Sequence, residues 1–96
     1  MKKSVYVLTA RDPDIKFYVG CTSDITRRAS EHKNNAVNQN HKEYNTYKYR
    51  FIRELNDNNV VWDLSVLSTE IEVDETTDEY SWILKIAREN EIKDHL

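Results

Sequence analysis

Phe17-Tyr18-Val19-Gly20-Cys21-Thr22-Ser23-Asp24-Ile25-Thr26-Arg27-Arg28-Ala29-Ser30-Glu31-His32 changes character twice within sixteen residues. Its β-branched and aromatic opening predicts a strand. Gly20, the only glycine in the chain, predicts a turn, and Asp24 or Ser23 offers an N-cap for a helix that follows. On that helix Arg28 and His32 stand four apart, so they share a face one turn apart. A tyrosine hydroxyl at a strand end, a guanidinium and an imidazole can then converge on one small volume. Such a cluster suits a phosphodiester, because a guanidinium matches phosphate in both charge and hydrogen-bond geometry.

Upstream, Ser4-Val5-Tyr6-Val7-Leu8-Thr9 has almost no polar interruption and predicts a central strand covered on both faces. Arg11-Asp12-Pro13-Asp14 is turn chemistry, and Ile15 to Val19 returns as an antiparallel partner. Tyr6 and Tyr18 therefore lie on neighbouring strands, although pattern alone leaves their register open. Downstream, the first helix is expected to run from Ile25 to about Lys33 and to give way to an exposed loop over Asn34–Asn40. A second helix follows, ending near Leu55, with Tyr44, Tyr47, Phe51 and Leu55 as its apolar stripe. Asn56-Asp57-Asn58-Asn59 predicts a turn, and Val60 to Leu67 a third strand. The acidic run Glu70 to Glu79 reads as loop and helix start, with Thr76 or Thr77 as cap. A last helix then carries Tyr80, Ile83, Leu84 and Ala87 inward, with Ile92 a looser continuation and His95-Leu96 fraying. The expected fold is α+β: residues 1–96 as one small domain, a three-stranded antiparallel sheet flanked by helices in the order β-β-α-α-β-α.

Ninety-six residues suffice for one compact domain and a modest core. No apolar run is long enough to span a membrane, and Lys2-Lys3 leads into a strand rather than a signal peptide. With Cys21 the only cysteine, an internal disulfide is excluded, and a reducing, cytoplasmic setting is expected. Cys21 itself reads as a small packing residue. The net charge of −3 conceals a division. Residues 1–53 hold eleven Lys and Arg against five Asp and Glu, a balance of +6, whereas residues 54–96 hold three against twelve, a balance of −9. The basic half has the pattern of a local DNA footprint in an acidic protein. Within it Arg27, Lys42, Lys48, Arg50 and Arg53 are the expected phosphate-backbone contacts.

Ser4-Val5-Tyr6 and Tyr18-Val19-Gly20, with eleven residues between them, resemble the two tripeptides that name the GIY-YIG endonuclease family. The Arg28–His32 pair resembles that family's next motif, and Glu79-Tyr80-Ser81-Trp82-Ile83 resembles its metal-binding glutamate followed three residues on by tryptophan. The likeness spans nearly the whole chain in the right order. Ser4 replaces the family's first glycine, and the nearest match to its late asparagine is Asn90. The resemblance implies metal-assisted hydrolysis of DNA to 5′-phosphate and 3′-hydroxyl ends. It implies Glu79 holding one Mg²⁺ or Mn²⁺, Arg28 (with Arg27 in reserve) facing the phosphate, and Tyr6 orienting or deprotonating the attacking water with help from His32, Tyr18 or the metal's field. Two other readings stand beside it. One is a non-catalytic nucleic-acid-binding module; the other is a cleavage module tethered to or assembled with a separate targeting protein, where the endonuclease itself would act alone or as a homo-oligomer.

Overall fold

A computed structural model describes residues 2–11, 14–68 and 71–90, and Asp12, Pro13, Glu70, Ile92, His95 and Leu96 lie outside them. The elements are β1 (Lys2–Arg11), β2 (Asp14–Thr22), α1 (Ile25–Val37), α2 (Tyr47–Asp57), β3 (Trp62–Val66), β4 (Ile71–Glu72) and α3 (Glu79–Glu89). The three main strands form an antiparallel sheet in the order β2-β1-β3, as expected, and the two-residue β4 pairs with Lys2 and Lys3. Ser4 to Leu8 are all buried, which is what a central strand with both faces covered requires.

Pairing of Val5 with Cys21, Tyr6 with Gly20, Val7 with Val19 and Leu8 with Tyr18 assigns every side chain to a face. Tyr6 and Leu8 point to the side covered by α1 and α2, where Leu8, Ala10, Phe17, Ala36, Tyr49, Ile52, Leu55 and Trp62 pack together. Val5, Val7 and Val19 point to the other side and pack on Ala87, Trp82, Ile83 and Ile86 of α3. Thr9 pairs with Lys16, so Phe17 is an extra residue in β2, a bulge that lets both Phe17 and Tyr18 join the first cluster.

Several expectations are corrected. Gly20 does not turn the chain: β2 continues to Thr22, and the corner falls at Ser23-Asp24. The reason for glycine is steric, because a Cβ there would stand 2.5 Å from Tyr6 Oη and 2.6 Å from Cζ. The tyrosine ring lies across the bare backbone of its cross-strand partner. α1 runs on to Val37 because Ala36 is fully buried, so Asn34 and Asn35 are helical rather than loop. α2 starts only at Tyr47, and its inward face is Lys48, Tyr49, Ile52 and Leu55. Tyr47 is exposed and Phe51 half-buried, so the apolar stripe is rotated from the expected one. The turn after α2 is a Schellman closure: Val60 N donates to Leu55 O and Asn59 N to Asn56 O, with Asn59 at φ 56°. Asp78, not a threonine, caps α3 by accepting from Ser81 N. The inward residues of α3 are Trp82, Ile83, Ile86 and Ala87, while Tyr80 faces solvent.

Candidate active site

The corner between β2 and α1 is tightly pinned. Asp24 N donates to Thr22 Oγ1, Thr22 Oγ1 donates to Asp24 O, and Arg27 N donates to Asp24 Oδ1. This fixes where α1 starts and therefore which of its residues meet the sheet. Arg28 and His32, one turn apart, both reach Tyr6. Arg28 Nε donates to Tyr6 Oη at 3.3 Å, and His32 Nε2 lies 2.8 Å from the same oxygen. His32 Nδ1 in turn lies 3.0 Å from Tyr49 Oη on α2. A hydrogen-bonded row thus runs Arg28–Tyr6–His32–Tyr49. Tyr18 packs its ring against this row, 5.9 Å from His32 and 6.5 Å from Tyr6 between centroids.

Burial sets the protonation of the row. His32 is fully buried, and desolvation, helped by the charges of Arg28 and Lys48, pushes its pKa down to about 3. It is therefore neutral, with one ring nitrogen donating and the other accepting. Burial also drives the Tyr6 phenol well above its ordinary value, against a smaller opposing effect from the Arg28 hydrogen bond. Desolvation works against the charge on Arg28, but its hydrogen bonds to Tyr6 and Glu31 outweigh this and hold it cationic.

The neutral imidazole makes a stability prediction. Below its ordinary pKa the unfolded chain binds a proton that folded His32 refuses, so acid favours unfolding. With a folded pKa of about 3, acidification from about pH 6.5 to 4.5 should cost about 2 kcal/mol of stability. Urea midpoints measured across this range should fall with pH in the native sequence and flatten in His32→Gln. An unchanged slope in that variant would mean the imidazole is not held neutral.

The other side of the sheet carries Glu79, the first residue of α3. Lys3 Nζ donates to its Oε1 at 2.6 Å, and Cys21 Sγ donates to its Oε2 at 3.7 Å. The hydrogen bond to Glu79 raises the Lys3 ammonium above its usual pKa. Burial, with the charge of Glu79 behind it, pushes the Cys21 thiol up to about 11, so it stays protonated. A cleft of about 300 Å³ joins the two sides around the end of β2, lined by Lys3, Cys21, Thr22, Ser23, Arg27, Arg28 and Glu31. Glu31 Oε2 accepts from Arg28 Nη1 at 2.6 Å, and its Oε1 lies 3.3 Å from Arg27 Nε.

Tyr6, Arg28 and His32 are therefore in direct contact, and Glu79 meets the same cleft through Lys3 and Cys21. Among the expected DNA contacts, Arg27, Lys42 and Arg50 are exposed. Lys48 and Arg53 turn inward instead. Lys48 pairs with Glu43 at 2.9 Å, with its ammonium 4.4 Å above the Tyr18 ring. Arg53 donates to the carbonyls of Ala36 and Tyr44, tying down the end of α1. Asn90 closes the far end of α3, donating from Nδ2 to Ile86 O, roughly 16 Å along the helix from Glu79. Lys3, Cys21, Glu31 and Tyr49 are the cleft and network residues that sequence reasoning passed over. Strand alternation would have put Lys3 on the same face as Cys21, the partner of Val5, had the hairpin register been known.

A divalent cation fits this donor set in one way. Among the described residues no three His, Cys, Asp or Glu side chains gather, so a closed protein cage is not built. The protonated thiol is no ligand for a hard ion and Glu31 is held between Arg27 and Arg28, which leaves the Glu79 carboxylate, 41 % exposed. One carboxylate matches Mg²⁺ or Mn²⁺ that keeps most of its waters and shares substrate oxygens.

The model of the GIY-YIG catalytic domain matches residues 2–96, and the chain belongs to this family of nucleases. No curated protein and no solved structure matches it significantly. No helix among the described residues is long and apolar enough to cross a membrane.

Proposed function

We propose that the chain is a metal-dependent DNA endonuclease that leaves 5′-phosphate and 3′-hydroxyl ends. The observation that carries this reading is that Arg28, which lines the cleft beside Lys3 and Cys21, also donates to Tyr6 Oη at the head of the buried Tyr6–His32 row, while Glu79 bonds both Lys3 and Cys21. Glu79 would hold Mg²⁺ or Mn²⁺, which when bound would polarise the phosphate and stabilise the leaving group. Arg28, anchored by Glu31, presents its guanidinium to the non-bridging oxygens, where charge grows as the water attacks phosphorus and the P–O3′ bond breaks. Tyr6 Oη positions that water. In the resting protein it is a poor base, since burial disfavours both phenolate and imidazolium. A bound phosphodiester adds negative charge beside Arg28 and makes the imidazolium less costly. Tyr6 then accepts the water's proton as its own passes to His32 Nε2, with Nδ1–H on Tyr49. Arg27, Lys42 and Arg50 supply the outer phosphate contacts.

Supercoiled plasmid should be nicked with Mg²⁺ present and left intact in excess EDTA, and the nicks should be sealed by DNA ligase. Nicking that EDTA does not stop, or ends that ligase rejects, would contradict the proposal. One contact favours the non-catalytic reading: Lys3 already neutralises Glu79. Under that reading DNA is bound and never cut, with or without Mg²⁺.

A further inference from the structure

The position of Lys3 is unusual for a residue beside a metal ligand. Its ammonium makes a 2.6 Å hydrogen bond to Glu79 Oε1, one of the two oxygens of the carboxylate that would hold a divalent cation. Its backbone is held by the pairing of Lys2 with Glu72 and of Lys3 with Ile71, so only the flexible side chain can move. That side chain also lines the cleft with Arg27 and Arg28. Two destinations are thus in reach of one ammonium: the carboxylate it now occupies and the space where a phosphate would sit. The pair is only partly shielded, with side-chain exposures of 24 % for Lys3 and 41 % for Glu79. Ion pairs of that exposure are weak and readily exchanged.

We propose that Lys3 is the resident counter-ion of Glu79, displaced when a divalent cation binds, and that the displaced ammonium then joins Arg27 and Arg28 as a phosphate ligand in the cleft. The proposal rests on the reading of Glu79 as the metal ligand. It makes cation and DNA binding cooperative through a single side chain. Without the cation the ammonium is withheld from the cleft; with it, the cleft gains a positive charge next to the phosphate to be cut. The cation competes with Lys3 for the carboxylate and repels the ammonium left beside it, so both effects drive the exchange in the same direction.

The test measures binding rather than turnover. Mn²⁺ affinity is read by calorimetry, without DNA, for the native protein, Lys3→Met, Lys3→Gln, Lys3→Arg and Glu79→Ala. Circular dichroism checks each fold. Removing the competitor should tighten Mn²⁺ by roughly 3- to 5-fold in both neutral variants, the size expected for losing one exposed ion pair, while Lys3→Arg should not tighten it. DNA affinity is then followed against salt at fixed Ca²⁺ and again in EDTA. With Ca²⁺ the log–log slope of Lys3→Met should be shallower than native by ~0.9, one phosphate contact on duplex DNA. In EDTA the two slopes should coincide. Unchanged or weaker Mn²⁺ binding in both neutral variants overturns the exchange, as does an equal slope in Ca²⁺. Mn²⁺ binding that survives in Glu79→Ala refutes the metal assignment itself, a result distinct from either.

Discussion

Arg28→Ala is expected to slow single-turnover cleavage by roughly 10²- to 10³-fold, whereas Arg27→Ala should change it little at saturating enzyme. The two arginines are adjacent in sequence and share Glu31, yet they differ in what else they touch. Arg28 is largely covered, at 27 % side-chain exposure, and its Nε donates to Tyr6 Oη. Arg27 is 60 % exposed, and among the described residues its side chain pairs with Glu31. Adjacent residues on a helix point about 100° apart, so only one of them can lie over Tyr6. On the proposed mechanism, loss of Arg28 removes the charge facing the phosphate as well as the hydrogen-bond partner of Tyr6 Oη. Loss of Arg27 removes an outer contact, visible as weaker binding and a shallower salt slope. The rates should be measured with enzyme in excess over a labelled duplex and the folds compared by circular dichroism. If Arg27→Ala is the inactive variant, the reacting phosphate does not sit against the Tyr6 row.

Gly20→Ala should be nearly as damaging, although it removes no functional group. The added methyl would begin 2.5 Å from Tyr6 Oη, so the ring or the strand must shift. Overpacking of this kind costs about 2–3 kcal/mol. Displacing the hydroxyl by roughly an ångström should lower the rate about 10²-fold even where the protein remains folded. A double-mutant cycle isolates the cause. In a Tyr6→Ala background the stability penalty of Gly20→Ala should largely vanish, because nothing remains for the methyl to strike. A stable, fully active Gly20→Ala protein would refute the close packing.

Much of the fold was legible because its signals are local. The uninterrupted run Ser4–Thr9 could be read as a central strand, and Asp24 as a cap, from residue type alone. The Arg28–His32 pair followed from helical period once the cap was placed. What stayed hidden depends on register and on long-range contact. Gly20 looked like a turn because glycine marks turns and close approaches equally, and only the pairing with Tyr6 distinguishes them. Lys48 and Arg53 looked like surface bases; that one lies over an aromatic ring and the other ties a helix end depends on partners distant in sequence. Tyr49 gives no signal of its own because Tyr47 and Phe51 fit a helical stripe equally well, and only packing against α1 turns Tyr49 toward His32. Lys3 and Cys21 gave no local signal. They matter only because the hairpin places both on the side of the sheet where α3 begins.

Lys3 and Tyr6 belong to one strand, three residues apart, and point to opposite sides of the sheet. A hairpin paired one residue out of step would reverse both assignments together, sending valines where the phenol belongs and the ammonium away from Glu79. The hairpin register thus couples two features that share no contact: on the proposed function, a chain paired out of step loses the Tyr6–His32 contact and the Lys3–Glu79 pair together.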